Sequence, residues 1–370
     1  MNPSAYKICT RCVMDNNGDD KISFNHQGVC NYCSEAEKSL SERGKLEDRV
    51  KQLDTIIAQI KESGKSKKYD CIIGCSGGID STFLAYKAKE LGLKPLVVHY
   101  DNGWNSETSV QNIQGIIKKL GIDLYTHVND WEEFKDIQGA FFKANVLDIE
   151  LITDQAILCI LLRMAKKHKI KYLITGHNVE SESILPENWY HLKIDSRNIW
   201  GIHQKFGTVR MRTYPIMFFN ERYRIDKYTP VKTIHLLNYL HYNKKEARAL
   251  LEDKLGWKDY GGKHFESIFT RFYQGYILPK KFNIDKRKAH LSSLIISNQI
   301  TRQEALEELQ RPPYSKELME EDKNYVIKKL GFTAEEFDEY ISTPPIPHTA
   351  YKSYINLHYK VLKFLGKQIP

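Results

Sequence analysis

Between Tyr69 and Gly176 short apolar runs alternate with amphipathic stretches, and this alternation restricts the fold more than any other feature of the chain. YDCIIG, KPLVVHY, IDLYTHV and IKYLITG each have the length and apolar content of a buried strand. Residues 80–91 read as a helix closed by Gly92, and residues 106–120 as a helix closed by Gly121. TDQAILCILLRMAKKHK reads as a long helix with Thr153 and Asp154 as cap candidates and lysines in its last turn. Strands that return through helices predict an α/β fold, a parallel sheet covered by helices on both faces. Ligands of such sheets bind beyond the carboxyl ends of the strands. The polar turns CSGGIDS, DNGWNSE and TGHNVESE all fall at that edge.

The first of these turns is built for phosphate. Gly77 and Gly78 let the backbone approach a ligand, and the helix that follows offers unpaired N–H groups to an anion. Ser76 and Ser81 add hydroxyls. Neither common phosphate loop fits: the GKS at Gly64–Ser66 has Gln59 where a Walker A glycine belongs, and no G-x-G-x-x-G occurs. Asp80 repels phosphate unless a cation bridges the two, which implies Mg²⁺; the alternative is that Asp80 only caps the helix. Two further acidic turns at the same edge favour the metal.

Four of the seven cysteines form C-x2-C-x17-C-x2-C: Cys9, Cys12, Cys30 and Cys33. Two such knuckles predict a closed tetrahedral zinc site that folds a segment too small for a core of its own, with an iron–sulfur cluster or a redox pair as the alternatives. No run approaches the ~18 apolar residues of a membrane span, and MNPSAYKICTRC does not read as a secretory signal; a cytoplasmic protein is expected. A net charge of +9, from 55 Lys+Arg against 46 Asp+Glu, suits an anionic partner such as a nucleic acid, a nucleotide or a nucleotide-linked sugar. The basic run at residues 61–68 reads as a solvated linker. The expected organisation is a zinc-binding segment at 1–35, a helical connector at 36–68, a nucleotide-binding domain at 69–230 and a helical region at 231–370. Leu46, Val50, Leu53, Ile57 and Ile60 form a packing stripe on the connector. Thr301 with Glu304, and Thr333 with Glu336, are capping-box candidates, and Pro312 and Pro313 stop the first of these helices.

S-G-G-I-D-S resembles the PP-loop of ATP pyrophosphatases, which cleave ATP between the α and β phosphates. The resemblance implies that Ser76, Gly77, Gly78 and Ser81 cradle pyrophosphate and that Asp80 helps hold magnesium. VVHYDNG is similar to the family's adenine-side strand end, around His99 and Asp101. TGHNVESES resembles its third motif, which implies Gly176 and His177 at the nucleotide and Glu180 and Glu182, standing where aspartates are commoner, as further magnesium ligands beside Asp80. The cysteine pairs, the loop, LGWKDYGGKHFESIFTRFYQGYILPKKFNIDKRKAHLSSLI and ITRQEALEEL together resemble the N-acetyl sugar amidotransferases of bacterial surface-polysaccharide, O-antigen or flagellar sugar pathways, over nearly the whole chain.

That family resemblance implies ATP activation of an acetamido group, attack by ammonia, and an acetamidino product. It implies catalytic roles for Asp80, Lys263, His264 and Arg271, and contacts to a nucleotide-sugar substrate from Glu266, Lys281, Lys286 and Arg287. Lys288, in the DKRK run, reads as part of a solvated helix face. A glutaminase would need a terminal cysteine or a G-x-C-x-G elbow. The chain has Asn2 and Pro3 at its start, and Cys75 in GCSGG is out of register. A separate glutaminase subunit is therefore expected, and the family resemblance implies one of the histidine-biosynthesis type, with a barrel-type synthase subunit as a further candidate between the two. A tRNA-thiolating PP-loop enzyme is the alternative, and it would need reactive cysteines near the nucleotide. A zinc-ribbon nucleic-acid binder would leave the three strand-end turns unexplained.

Overall fold

In the computed structural model, which describes residues 6–262 and 265–357, the chain folds around a parallel sheet. Helix α1 (Asn31–Glu42) follows the cysteine knuckles, and α2 (Leu46–Ser63) completes the connector. Gly44, with φ of +70°, breaks the connector into these two helices. The sheet strands β1 (Cys71–Gly74), β2 (Pro95–Asp101), β3 (Asp123–Val128) and β4 (Tyr172–Thr175) alternate with α3 (Ile79–Glu90), α4 (Glu107–Leu120), α5 (Trp131–Ala144) and α6 (Leu151–Lys167). Beyond β4 come α7 (Val179–Glu182), α8 (Ser196–Phe206) and α9 (Phe219–Tyr228). A fifth strand, β5 (Lys232–His235), lies in the region expected to be wholly helical. It is an edge strand with one buried residue, Ile234, so its sequence carries little of the apolar signal that marks the others.

Strand order is β3-β2-β1-β4-β5, all parallel. From β1 the chain moves outward to β2 and β3, then crosses back to β4 on the other side. The loops after β1 and β4 therefore diverge and leave a crevice at their carboxyl ends, the switch point where such sheets bind ligands. Side chains alternate across the sheet. Ile73 and Ile174 pack with Leu53, Ile57 and Ile60 of α2 and Phe83 and Leu84 of α3. Ile72, Leu96, Val98 and Leu173 pack with Ile160 and Leu161 of α6 on the other face. The connector stripe is thus a packing face, with Leu46 and Val50 left exposed at its start.

Helix α6 starts two residues before its expected caps. Thr153 instead accepts a hydrogen bond from Asn102, and Asp154 pairs with Lys193. The C-terminal region contributes α10 (Lys244–Leu255), α11 (Ile268–Phe272), a π-helical turn (Tyr273–Ile277) and α12 (Leu278–Phe282). Helices α13 (Lys286–Ile296), α14 (Arg302–Gln310), α15 (Lys316–Leu330) and α16 (Ala334–Ser342) follow. Both capping boxes form, and α14 stops at Gln310, ahead of the two prolines. Phe269, Phe272, Phe337 and Tyr340 share one core with Phe134 and Phe142 of α5.

The knuckles dock onto this region too. Ser292 of α13 accepts from the Val13 N–H, and Arg302 donates to the Cys9 and Cys12 carbonyls at 2.9 and 3.0 Å. Lys288 pairs with the buried Asp15. Its expected place on a solvated face is corrected: the knuckle covers that face of α13, and an isolated carboxylate there would be costly to bury.

Candidate active site

The turn after β1 is shaped by its glycines. Gly77 has φ of +82°, and a Cβ there would stand 2.7 Å from the Ser109 carbonyl oxygen, so only glycine fits. Ser81 Oγ accepts from the Ser76 N–H at 3.3 Å, and Ser76 Oγ accepts from the Gly78 N–H at 3.3 Å. The hydroxyls thus hold the turn while α3 directs its amino terminus at the crevice. Gly78, not Asp80, occupies the cap position of α3. The capping alternative for Asp80 therefore fails. Asp80 Oδ1 accepts a hydrogen bond from the Tyr242 hydroxyl, and Oδ2 takes none from the described residues.

A cavity of about 360 Å³ opens over this turn, lined by Ser76, Gly78, Asp80 and Ser81 on one side and by Gly176, His177 and Glu182 on the other. The turn and the third motif are thus brought together as expected. A Cβ on Gly176 would lie 3.2 Å from the Asp80 carbonyl oxygen, so the two loops touch. His177 Nδ1 lies 2.8 Å from Glu182 Oε2. Asp80 and Glu182 offer hard carboxylate oxygens in one cavity, a donor set that fits Mg²⁺. Glu180 does not join them: it is not among the residues that line this cavity, and its Oε1 is held by Arg43 at 3.0 Å, in an ion pair with both side chains largely buried. That correction turns on Arg43, which lies in the connector, far away in sequence.

His99 and Asp101 are also corrected. His99 is buried, with Nδ1 2.9 Å from the Cys75 carbonyl oxygen and Nε2 3.1 Å from the Asn105 amide. Asp101 accepts from the Gly103 N–H and from Asn105, both at 2.9 Å. His99 thus fastens β2 to the glycine turn, Asp101 braces the turn that follows β2, and neither is among the residues that line the glycine-turn cavity.

A second cavity, about 420 Å³, adjoins the first. Its basic lining includes Arg271, Lys286, Arg287 and His290, and its apolar lining includes Ile184, Leu185, Phe265 and Leu291. Gly275, in the π-helical turn, also lines it; a Cβ there would stand 2.4 Å from the Tyr314 ring. Arg271 makes two 2.7 Å bonds to Asp322, with the Phe265 and Tyr314 rings beside its guanidinium. Two of its nitrogens are therefore engaged by a buried carboxylate at the cavity wall, an arrangement that favours a wall-building part over the expected catalytic one. Arg287 is likewise clamped by Asp285 and by the Arg311 carbonyl. Lys286 lines the cavity, with Asp148 and Glu150 near enough to feel its charge.

Lys281 is not at the cavity. Its ammonium donates to the Tyr340 and Thr343 carbonyls at the end of α16, and burial lowers its pKa to about 8. Glu266 lines the glycine-turn cavity, not the basic one, and its carbonyl accepts from the Ser106 N–H at 2.8 Å. Lys263 and His264 lie outside the described residues.

Residues the sequence reading missed complete the site. Lys244, at the start of α10, lines both cavities, and Arg248 one turn on lines the first while pairing with Asp259 at 2.8 Å. Trp257 donates its indole N–H to the Gly77 carbonyl at 2.9 Å, and Tyr260 lines the same cavity. Lys244 stands in a YNKKEAR run that looks like any solvated helix start. WKDY was visible only as part of a longer resembling stretch.

The four knuckle cysteines bring their sulfurs within 4.8 Å of one another, with contacts of 3.6–3.8 Å. Four Zn–S bonds of ~2.3 Å in a tetrahedron place sulfurs about 3.8 Å apart, so the set fits zinc. Backbone N–H groups of Arg11, Cys12 and Cys30 point at the Cys9 sulfur, as a thiolate would favour. Cys71, Cys75 and Cys159 are buried, and burial raises all three thiols, Cys159 to about 12. Such burial fits packed groups and not the accessible, low-pKa thiols that act as nucleophiles. Among the described residues no helix is long and apolar enough to cross a membrane.

Residues 266–365 match the family model described as LPS biosynthesis protein WbpG-like, C-terminal domain. A stretch of 93 residues is 33% identical to a tRNA(Ile)-lysidine synthase of Chlamydia pneumoniae, over 24% of this chain and 28% of that protein. The chain thus spans little more than a quarter of that relative's length. Among solved structures, NMN synthetase from Francisella tularensis is similar with a TM-score of 0.30 and 16% identity, over 57% of this chain and 87% of that one. The NH3-dependent NAD synthetase from Campylobacter jejuni is similar with a TM-score of 0.31 and 14% identity, over 82% of this chain and 99% of that one. The C-terminal part of the chain, residues 266–365, is thus similar to the C-terminal domain of WbpG-like LPS biosynthesis proteins.

Proposed function

We propose that the protein is an ATP-dependent amidotransferase that converts an acetamido group of a nucleotide-activated bacterial sugar into an acetamidino group, in LPS O-antigen or related surface-glycan biosynthesis. The observation that carries this reading is a shared wall: His177, Glu182, Lys244, Gly261 and Gly262 border both cavities. ATP held at the glycine turn and an acceptor held at the basic cavity would meet there.

An amide carbon is a poor electrophile and its oxygen a poor leaving group, so the oxygen must be activated. In the proposed reaction the acetamido oxygen forms a bond to the α-phosphorus as the α–β bridging bond breaks, and pyrophosphate leaves with that electron pair. Loss of the amide proton gives an O-adenylated imidate. Ammonia adds to the imidate carbon through its lone pair, the C–O bond breaks, AMP departs, and a proton is released to leave the acetamidine. Such transfers depend on positioning and charge neutralisation more than on covalent help. The turn's N–H groups and the α3 amino terminus suit the departing pyrophosphate, with Lys244 adding positive charge. Mg²⁺ held by Asp80 and Glu182 would neutralise phosphate charge. The zinc knuckle is structural in this reading.

Lys286 and His290 suit the acceptor's phosphates, and Leu185 and Phe265 its less polar faces. Ammonia would come from a separate glutaminase of the histidine-biosynthesis type, with a barrel-type synthase subunit as a candidate intermediary. The thiolating alternative loses ground because the three cysteines outside the knuckles are buried. Incubating the purified protein with ATP, ammonium and a panel of nucleotide-linked acetamido sugars tests the proposal by mass spectrometry. Replacement of one acetamido oxygen by NH supports it. AMP formation on a tRNA but on none of the sugars would sink it.

A further inference from the structure

The segment from 240 to 262, between the edge strand and the C-terminal match, grips the glycine turn at three points. Trp257 donates to the Gly77 carbonyl. The Tyr260 hydroxyl stands 3.0 Å from where a Cβ on Gly78 would sit. Tyr242 donates to Asp80 Oδ1. Of the three, the contact from Tyr242 reaches the loop's charged group.

Tyr242 is itself fixed. It is 1% exposed, and its ring lies against Phe83 of α3, with centroids 5.5 Å apart. Phe83 stands one turn from Asp80 on that helix, so ring and hydroxyl engage the same element. The next residue, Asn243, caps α10 by accepting from the Lys245 and Glu246 N–H groups at 2.9 and 3.2 Å. A phenol keeps its proton at neutral pH and so remains a donor to the carboxylate.

We propose that Tyr242 is a positioning residue for the loop carboxylate: by occupying Oδ1 it holds Asp80 in one orientation and presents Oδ2 to the cavity. This rests on reading the turn as the site of a magnesium-bound pyrophosphate group. A carboxylate on a helix's first turn has several rotamers that point to solvent. The buried phenol selects among them before the ligand arrives, so binding loses less side-chain freedom. Nothing in the spacing of the loop motif announces this partner, because it lies 162 residues further along the chain.

The alternative is that the bond merely satisfies a buried hydroxyl. A double-mutant cycle separates the two. Tyr242→Phe, Asp80→Asn and the double variant are titrated calorimetrically with the magnesium complex of pyrophosphate and, separately, with AMP. The expected result is a loss of about tenfold in magnesium-pyrophosphate affinity for Tyr242→Phe, with AMP affinity within about twofold of wild type. In the Asp80→Asn background, Tyr242→Phe should change pyrophosphate affinity by less than about twofold, because the group it positions no longer carries charge. An equal loss in both backgrounds overturns the proposal. So does wild-type pyrophosphate affinity in Tyr242→Phe, even if the melting temperature falls. Failure of the wild-type protein to bind magnesium-pyrophosphate would overturn the reading of the turn as well as the role of Tyr242.

Discussion

The two adjoining cavities are built by different means. The glycine-turn cavity is a backbone structure: a positive-φ glycine, two serine hydroxyls that hold the turn, and a helix amino terminus. The basic cavity is a side-chain structure, and much of its charge is already committed, Arg271 to Asp322 and Arg287 to Asp285. A basic residue at a cavity wall is therefore not by itself a ligand contact. What its charge is paired with decides whether it holds the wall or the substrate.

Four substitutions test that contrast. Asp80→Ala should have the largest effect, lowering pyrophosphate release from ATP by at least about 10²-fold while far-UV circular dichroism stays native. Normal release would end the claim that the turn handles the phosphates. Arg271→Ala should act on the fold, because it strands the buried Asp322 carboxylate. A loss of about 3–5 kcal/mol in urea unfolding is expected. A stable Arg271→Ala protein with lost turnover would instead assign Arg271 a catalytic role. Trp257→Phe leaves the Gly77 carbonyl without its donor and should raise the KM for ATP about tenfold, with the acceptor KM little changed. Lys286→Ala should do the reverse more weakly, raising the acceptor KM about fivefold and leaving the ATP KM alone. If both variants shift both constants together, the two cavities are not separable in function.

Much of the fold could be read from local pattern. The four apolar runs became β1 to β4, Gly121 closes α4 in the left-handed conformation, and Thr301 and Thr333 form their capping boxes. Each signal lies within a few residues of what it specifies. Strand β5 escaped because an exposed edge strand with one buried side chain has no alternation to read. The glycine turn and its meeting with His177 and Glu182 were equally legible, since parallel strands deliver their following loops to one edge. The roles of Glu180, His99, Asp101, Arg271 and Lys281 were not. Four of them depend on a partner distant in sequence: Arg43 for Glu180, the Cys75 carbonyl for His99, Asp322 for Arg271, and the end of α16 for Lys281, whereas Asp101 braces its own turn through Gly103 and Asn105. Lys288 fails in the opposite direction, a residue taken for solvated that pairs with a knuckle aspartate.

The central claim is that the acceptor's own acetamido oxygen takes the α-phosphate of ATP at the junction of the two cavities. An acceptor sugar carrying heavy oxygen in its acetamido group, incubated with ATP and ammonium, tests it directly. The account predicts that the label leaves the sugar and appears in the phosphate of AMP, with none in pyrophosphate. Label found in pyrophosphate, or retained in the acetamidino product, would contradict it.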